Sequence, residues 1–210
     1  GFDVLDEMNL DGLELEFVHG VRISDNSKEI VKNSALIKTI HAPFYINLNA
    51  REVEKREASV ERIVETAQVA SEIGAFSITY HAGFYLGMEK DKVYKTIKEQ
   101  TKIITDKLTK DNITVWIRPE TTGKATQWGD LNEIINLSKE FEYVLPCVDF
   151  SHIHARYNGT HNTYNEFANI FEKIDKDKSG FIEGGELFTA LTALSGELGI
   201  PKPSQKDVDE

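Results

Sequence analysis

The sequence predicts an α/β fold of about five parallel strands, followed by a short acidic segment of different character. Three observations carry the prediction. Short apolar or β-branched runs alternate with amphipathic helical patterns over the first 160 residues, a cadence that makes parallel βαβ units with right-handed crossovers. Ligand-type side chains recur at the ends of those runs, about one βα unit apart. From Asp175 the pattern gives way to a loop rich in carboxylates.

Taken in order, Leu13 to Phe17, Leu36 to Ile40, Phe76 to Tyr80, Thr114 to Ile117 and Tyr143 to Val148 read as strands, being short, apolar or β-branched and bounded by turn residues. Glu52 to Ile73 reads as a helix with Val53, Val60, Ile63, Val64, Ala67, Ala70 and Ile73 on one side and Gly74 placed to stop it. A second helix carries Val93, Ile97, Ile104 and Leu108, and a third is expected over residues 164–174. Closing a (β/α) barrel takes eight βα units, so five strands make a partial one. The domain boundary is expected near residue 175, giving a barrel segment over 1–174 and a tail over 175–210 that shares the helix at 164–174.

With 210 residues, 40% apolar and 28% charged, the chain has the composition of a globular protein with a sizeable core, and wholesale disorder is excluded. Net charge is 24 minus 35, or −11, which repels nucleic acid at long range and excludes a basic, sequence-independent DNA coater. Any DNA contact must be local. No apolar run is long enough to span a bilayer, so no membrane is expected. The one cysteine, Cys147, makes no internal disulfide and sits in an apolar run as a small core residue; with no leader at Gly1, a cytoplasmic location is expected.

The chemistry gathers at strand ends. His41, His81, Glu120 and Asp149 each follow an apolar strand, at spacings of 40, 39 and 29 residues. Residues at the carboxyl ends of adjacent parallel strands converge on one rim. Two imidazoles and two carboxylates suit a catalytic zinc or similar divalent ion, and His152 can join from the loop after Asp149. Carboxylates buried beside neutral imidazoles are costly without a cation. His19, His154 and His161 read as loop or surface residues.

Four stretches carry a resemblance: His-Ala-Pro-Phe-Tyr-Ile-Asn-Leu-Asn (41–49), Tyr-His-Ala-Gly-Phe-Tyr-Leu-Gly (80–87), Arg-Pro-Glu-Thr-Thr-Gly-Lys (118–124) and Cys-Val-Asp-Phe-Ser-His-Ile-His-Ala-Arg (147–156). In order and spacing they resemble the signatures of the endonuclease IV family, zinc-dependent apurinic/apyrimidinic endonucleases on a TIM barrel, and are similar to its archaeal members. The match runs over roughly residues 10–174. The resemblance implies that His41 and His81 hold a first zinc, that Glu120 bridges it to a second and is the catalytic carboxylate, that Asp149 binds the second and that His152 binds a third. It further implies attack by a metal-bridging hydroxide on the phosphate 5′ to an abasic site in DNA repair. Arg22 aligns with a family arginine that contacts DNA, and Phe44 with an aromatic that probes the duplex. Lys124 and Arg156 are the remaining nearby candidates for phosphate contacts. The family's later motifs do not follow residue 174, so the resemblance implies a reduced centre with impaired activity, or missing strands supplied by a partner or a second copy.

The tail has its own pattern. Asp175, Asp177, Ser179 and Glu186 place side-chain oxygens at positions 1, 3, 5 and 12 of a twelve-residue loop, Gly180 supplies the turn, Phe181 offers its carbonyl and Glu183 stands at position 9. Hard oxygen donors at this spacing suit Ca²⁺. The segment resembles a single EF-hand of the parvalbumin and calmodulin superfamily. Two rival readings use the same residues: a calcium-binding chimera with a non-catalytic barrel, and a metal-dependent sugar isomerase or epimerase whose barrel also sets Glu, Asp and His at strand ends.

Overall fold

The computed structural model describes residues 2–159 and 163–165. The chain divides into two compact units, Gly1–His152 and Ile153–Glu210. The first holds all of the sheet. After α1 (Phe2–Glu7) come β1 (Gly12–Glu16), α2 (Asp25–Asn33), β2 (Ile37–His41), α3 (Val53–Ile73), β3 (Ser77–Tyr80), β4 (Gly83–Phe84), α4 (Lys90–Lys110), β5 (Trp116–Pro119), β6 (Gln127–Trp128) and α5 (Leu131–Ser138), with α6 (Phe150–Arg156) crossing into the second unit.

β1, β2, β3 and β5 form a parallel sheet in that order, and β4 pairs antiparallel with β6 as a separate ribbon. Strand alternation gives this sheet two unlike faces. Ile40, Ile78, Tyr80 and Ile117, nearly or fully buried, belong to the core shared with Val60, Ile63, Val64 and Ala67 of α3 and Val93, Ile97 and Ile104 of α4. The register sets Glu14, Thr39, His41, Ser77, Thr79 and Arg118 on the alternate positions, so the other face is polar toward the carboxyl ends of the strands, with Ile37 and Trp116 at their amino ends. Barrel interiors are ordinarily filled by branched aliphatic residues; here the rung holding His41 continues through Thr79 to Arg118.

The expected fifth strand, Tyr143 to Val148, is a correction. The segment runs parallel beside β5 through bridges at Ile117–Val144 and Glu120–Cys147, but it is not a continuous strand. Pro119 of β5 has no N–H to give the Leu145 carbonyl, so the ladder lapses at that rung, and Tyr143 enters with φ 60°. Backbone bonds from Leu145 N–H to the Ile117 carbonyl (3.0 Å) and from Cys147 N–H to the Pro119 carbonyl (2.9 Å) still hold it in register.

Helix ends follow local chemistry. Ser24 caps α2 by accepting from Ser27 N–H, Gly74 ends α3 in the left-handed region at φ 69°, and Asp130 with Glu133 forms a capping box on α5. No helix among the described residues is long and apolar enough to cross a membrane. The boundary expected near residue 175, the helix expected through residue 174, His161 and the loop from Asp175 to Glu186 lie outside the described residues.

Candidate metal centre

Parallel strands deliver the ligand-type residues to one rim. His41 is the last residue of β2, His81 follows β3 directly, Glu120 follows β5 directly, and Asp149 lies two residues beyond Cys147, which bridges to Glu120. His152 comes from α6 rather than from a loop, because Asp149 starts that helix: its Oδ1 accepts His152 N–H at 2.8 Å and the Ser151 hydroxyl at 2.7 Å.

The side chains meet around one carboxylate. Glu120 Oε2 lies 3.2 Å from His41 Nε2 and 3.0 Å from His81 Nε2, while Oε1 lies 3.3 Å from His152 Nδ1. Asp149 Oδ2 is 3.6 Å from the same His152 nitrogen. Two donor groups result, one of His41, His81 and Glu120 and one of Glu120, Asp149 and His152, each with its ligand atoms within 4.8 Å of one another. Glu120 belongs to both. His152, which the resemblance assigns to a third ion, falls in the second group.

The fit to a cation rests on protons and lone pairs. His41 Nδ1 lies 2.8 Å from the Ala42 carbonyl, which can only accept, so that nitrogen carries the hydrogen. Neutral His41 then offers a lone pair at Nε2 to a carboxylate oxygen, a repulsive contact unless a proton or a cation lies between. His81 Nε2 is buried with no hydrogen-bond partner although Glu120 Oε2 is 3.0 Å away, so the two atoms approach at an angle unsuited to a hydrogen bond. An orphaned imidazole nitrogen and a carboxylate oxygen facing a shared point are what a divalent ion would satisfy.

Electrostatics show the same tension. Burial works to raise the Glu120 carboxyl, but the imidazoles of His41 and His81 outweigh it and hold the group at about 2. Burial opposes protonation of His41, yet hydrogen bonding to Glu120 and to the Ala42 carbonyl raises it above its ordinary value. Burial and the Glu120 charge push the Cys147 thiol up, which keeps it a protonated, half-buried residue beside the site.

The remaining predicted residues contribute no ligand atom to either donor group. Phe44 is 55% exposed with its ring edge toward His41, centroids 5.6 Å apart, and Tyr45 beside it is 58% exposed. Arg22 and Lys124 are exposed, and Arg156 ends α6 in the second unit. His19 is exposed as expected, with Nδ1 3.2 Å from the Tyr45 hydroxyl. His154, expected in a loop or on the surface, is half-buried within α6 because the helix begun by Asp149 extends through it. Sequence reasoning missed Thr121. Its hydroxyl accepts Asp149 N–H at 2.8 Å, and its carbonyl, 2.8 Å from His152 Nδ1, puts the hydrogen on that nitrogen and leaves Nε2 as the ring's free lone pair, so Thr121 orients both candidate ligands.

With fold and site in view, a family model described as xylose isomerase-like TIM barrel matches residues 2–183. The chain belongs to that family. It is 46% identical over 175 residues to an uncharacterized protein of Methanocaldococcus jannaschii, covering 82% of this chain and 63% of that one. It is 26% identical over 141 residues to a probable endonuclease 4 of Aquifex aeolicus, covering 65% of this chain and 49% of the relative. Among solved structures, endonuclease IV of Thermus thermophilus superposes with a TM-score of 0.59 at 19% identity, over 73% of this chain and 58% of that one. The 3-keto-D-glucoside 4-epimerase YcjR of E. coli gives 0.60 at 16% identity, over 91% and 81%. The chain thus spans about three-fifths and one-half of the two relatives' lengths, and the structural likenesses speak for the fold alone.

Proposed function

We propose that this chain carries the divalent-metal centre of an endonuclease IV-type phosphodiesterase, with zinc as the ion and abasic-site DNA as the substrate. The observation that carries the reading is Glu120, whose two oxygens face two different donor groups. His41, His81 and Glu120, and Glu120, Asp149 and His152, would hold divalent ions, which would supply an acidified water and charge neutralisation at a phosphate. The chain's own residues orient that centre. The Ala42 carbonyl fixes the tautomer of His41, and Ser151 with His152 N–H occupies one oxygen of Asp149 and leaves the other facing His152. Phe44 and Tyr45 give an exposed aromatic surface at His41 of the kind that wedges into a distorted duplex. Arg22, Lys124 and Arg156 are the phosphate contacts in this reading.

The barrel is shared with sugar epimerases. Shifting a proton at a sugar carbon calls for one Lewis-acidic ion beside a base, and it leaves the second donor group and the exposed aromatic pair without a role. The deciding experiment is incubation of the zinc-loaded chain with a duplex bearing one abasic analogue. Cleavage 5′ to the lesion, leaving a 3′-hydroxyl and lost in Glu120→Gln, is expected. No cleavage, or cleavage indifferent to Glu120, contradicts the proposal, and turnover of a ketose instead would favour the epimerase.

A further inference from the structure

Two of the candidate ligands sit on loops joined by the β4–β6 ribbon. β4 begins two residues after His81 and β6 lies in the segment after Glu120, with Gly83 opposite Trp128 and Phe84 opposite Gln127. Tyr85 follows β4, Gly129 follows β6, and both converge on the side chain of Glu133.

Glu133 is 8% exposed, a buried carboxylate. The Tyr85 hydroxyl lies 2.7 Å from each of its oxygens, and Oε2 also accepts the N–H groups of Gly129 and Asp130, each at 3.0 Å. A capping box accounts for the Asp130 N–H alone. The Tyr85 hydroxyl and the Gly129 N–H are additional, and they come from the two loops that carry His81 and Glu120.

From Gly129 the contacts lead straight to the site. Its carbonyl accepts Thr122 N–H at 2.9 Å, and the Thr122 hydroxyl lies 3.2 Å from the Trp128 carbonyl. A Cβ on Gly129 would stand 2.8 Å from the Glu120 carbonyl oxygen, so the ribbon end presses directly on the backbone of the bridging residue. Glu120 is tied on its other side by its own N–H to the Tyr80 carbonyl at 3.0 Å, one residue before His81. A carboxylate holding several neutral donors makes short, strong bonds, and such outer contacts set ligand geometry as firmly as the ligands themselves.

We infer that Glu133 is a positioning residue: by holding Tyr85 and Gly129 together it sets the spacing of His81 and Glu120. The consequence for metal binding rests on the proposed centre, whereas the clamp itself does not. Glu133→Gln keeps the shape but cannot accept from the tyrosine and from both N–H groups at once. Tyr85→Phe removes one tie and leaves the cap of α5 intact, so it carries the test if the first variant does not fold.

The experiment uses the whole chain, its two variants and Asp106→Asn as an exposed control. Zinc affinity is measured by chelator competition, the cobalt-substituted visible spectrum is recorded, and amide hydrogen exchange is followed in the metal-free protein. Glu133→Gln is expected to weaken zinc about tenfold or more, with an altered cobalt spectrum, and Tyr85→Phe to weaken it less. Exchange should quicken at Glu120, Thr122 and Tyr85 and stay unchanged at Ile63 and Ala67 in α3. If the variants lose only global stability, with zinc affinity and cobalt spectrum as in the parent, the inference is overturned. If the parent binds neither ion, the metal reading fails, and exchange alone decides: unaltered rates at Thr122 and Tyr85 overturn the clamp, and faster rates uphold it.

Discussion

At Glu120 a single carboxylate is shared between two sets of donors, and its ionisation has a definite sign. Its pKa is depressed from 4.5 to about 2, so the stability it contributes is present above pH 4.5 and is lost as pH falls toward 2. The contribution is about 2 kcal/mol once screening by water is allowed for. His41 runs the other way: raised above 6.5, it stabilises the metal-free fold below that pH, and the gain disappears as pH rises through its folded value. Urea unfolding of metal-free protein between pH 2 and 5 should show the parent losing more stability along this limb than Glu120→Gln, the difference between the two being the Glu120 contribution. The four strand-end residues were legible because parallel strands repeat at one βα unit. Thr121 and Glu133 were not, because they act through backbone groups whose partners only folding brings near.

Among the elements, the long helices were the most legible. In α3 the positions Val60, Ile63, Val64, Ala67, Ala70 and Ile73 are buried as their spacing predicts, and Gly74 adopts the left-handed cap. Val53 differs: it lies in the first turn, beyond the edge of the core, and is 51% exposed. Ile63→Ala should cost roughly 2–5 kcal/mol as a cavity, and Gly74→Ala about 1 kcal/mol through its backbone alone, both read by denaturant midpoints. The ribbon strands β4 and β6 have two residues each, too few to show any period. The start of α5 did carry a signal, Asp130 followed three residues on by Glu133, which marks a helix N-terminus. Its second use, as a tie between two loops, is a matter of tertiary contact and leaves no trace in the spacing.

For the whole molecule, a net charge of −11 opposes long-range attraction to DNA, so on the proposed function binding rests on local contacts. If Arg22, Lys124 and Arg156 make the proposed phosphate contacts, a plot of log affinity against log salt should have a slope of about −3, and Arg22→Ala should bring it nearer −2. A slope much steeper than −3 would require contacts beyond Arg22, Lys124 and Arg156. The oxygen spacing from Asp175 to Glu186, outside the described residues, carries a separate expectation: calorimetric titration with Ca²⁺ should give one site, lost in Glu186→Ala, and no heat would contradict that reading. The family match, running through residue 183, takes in the first nine positions of that loop.

The barrel's rim finally turns on whether one carboxylate separates two cations. Crystals grown with zinc and measured at its absorption edge answer this directly. Two anomalous peaks should flank Glu120, one at His41 and His81 and the other at Asp149 and His152, each about 2.0–2.2 Å from its ligand atoms. A single peak away from Glu120, or none in zinc-soaked crystals, would contradict the account.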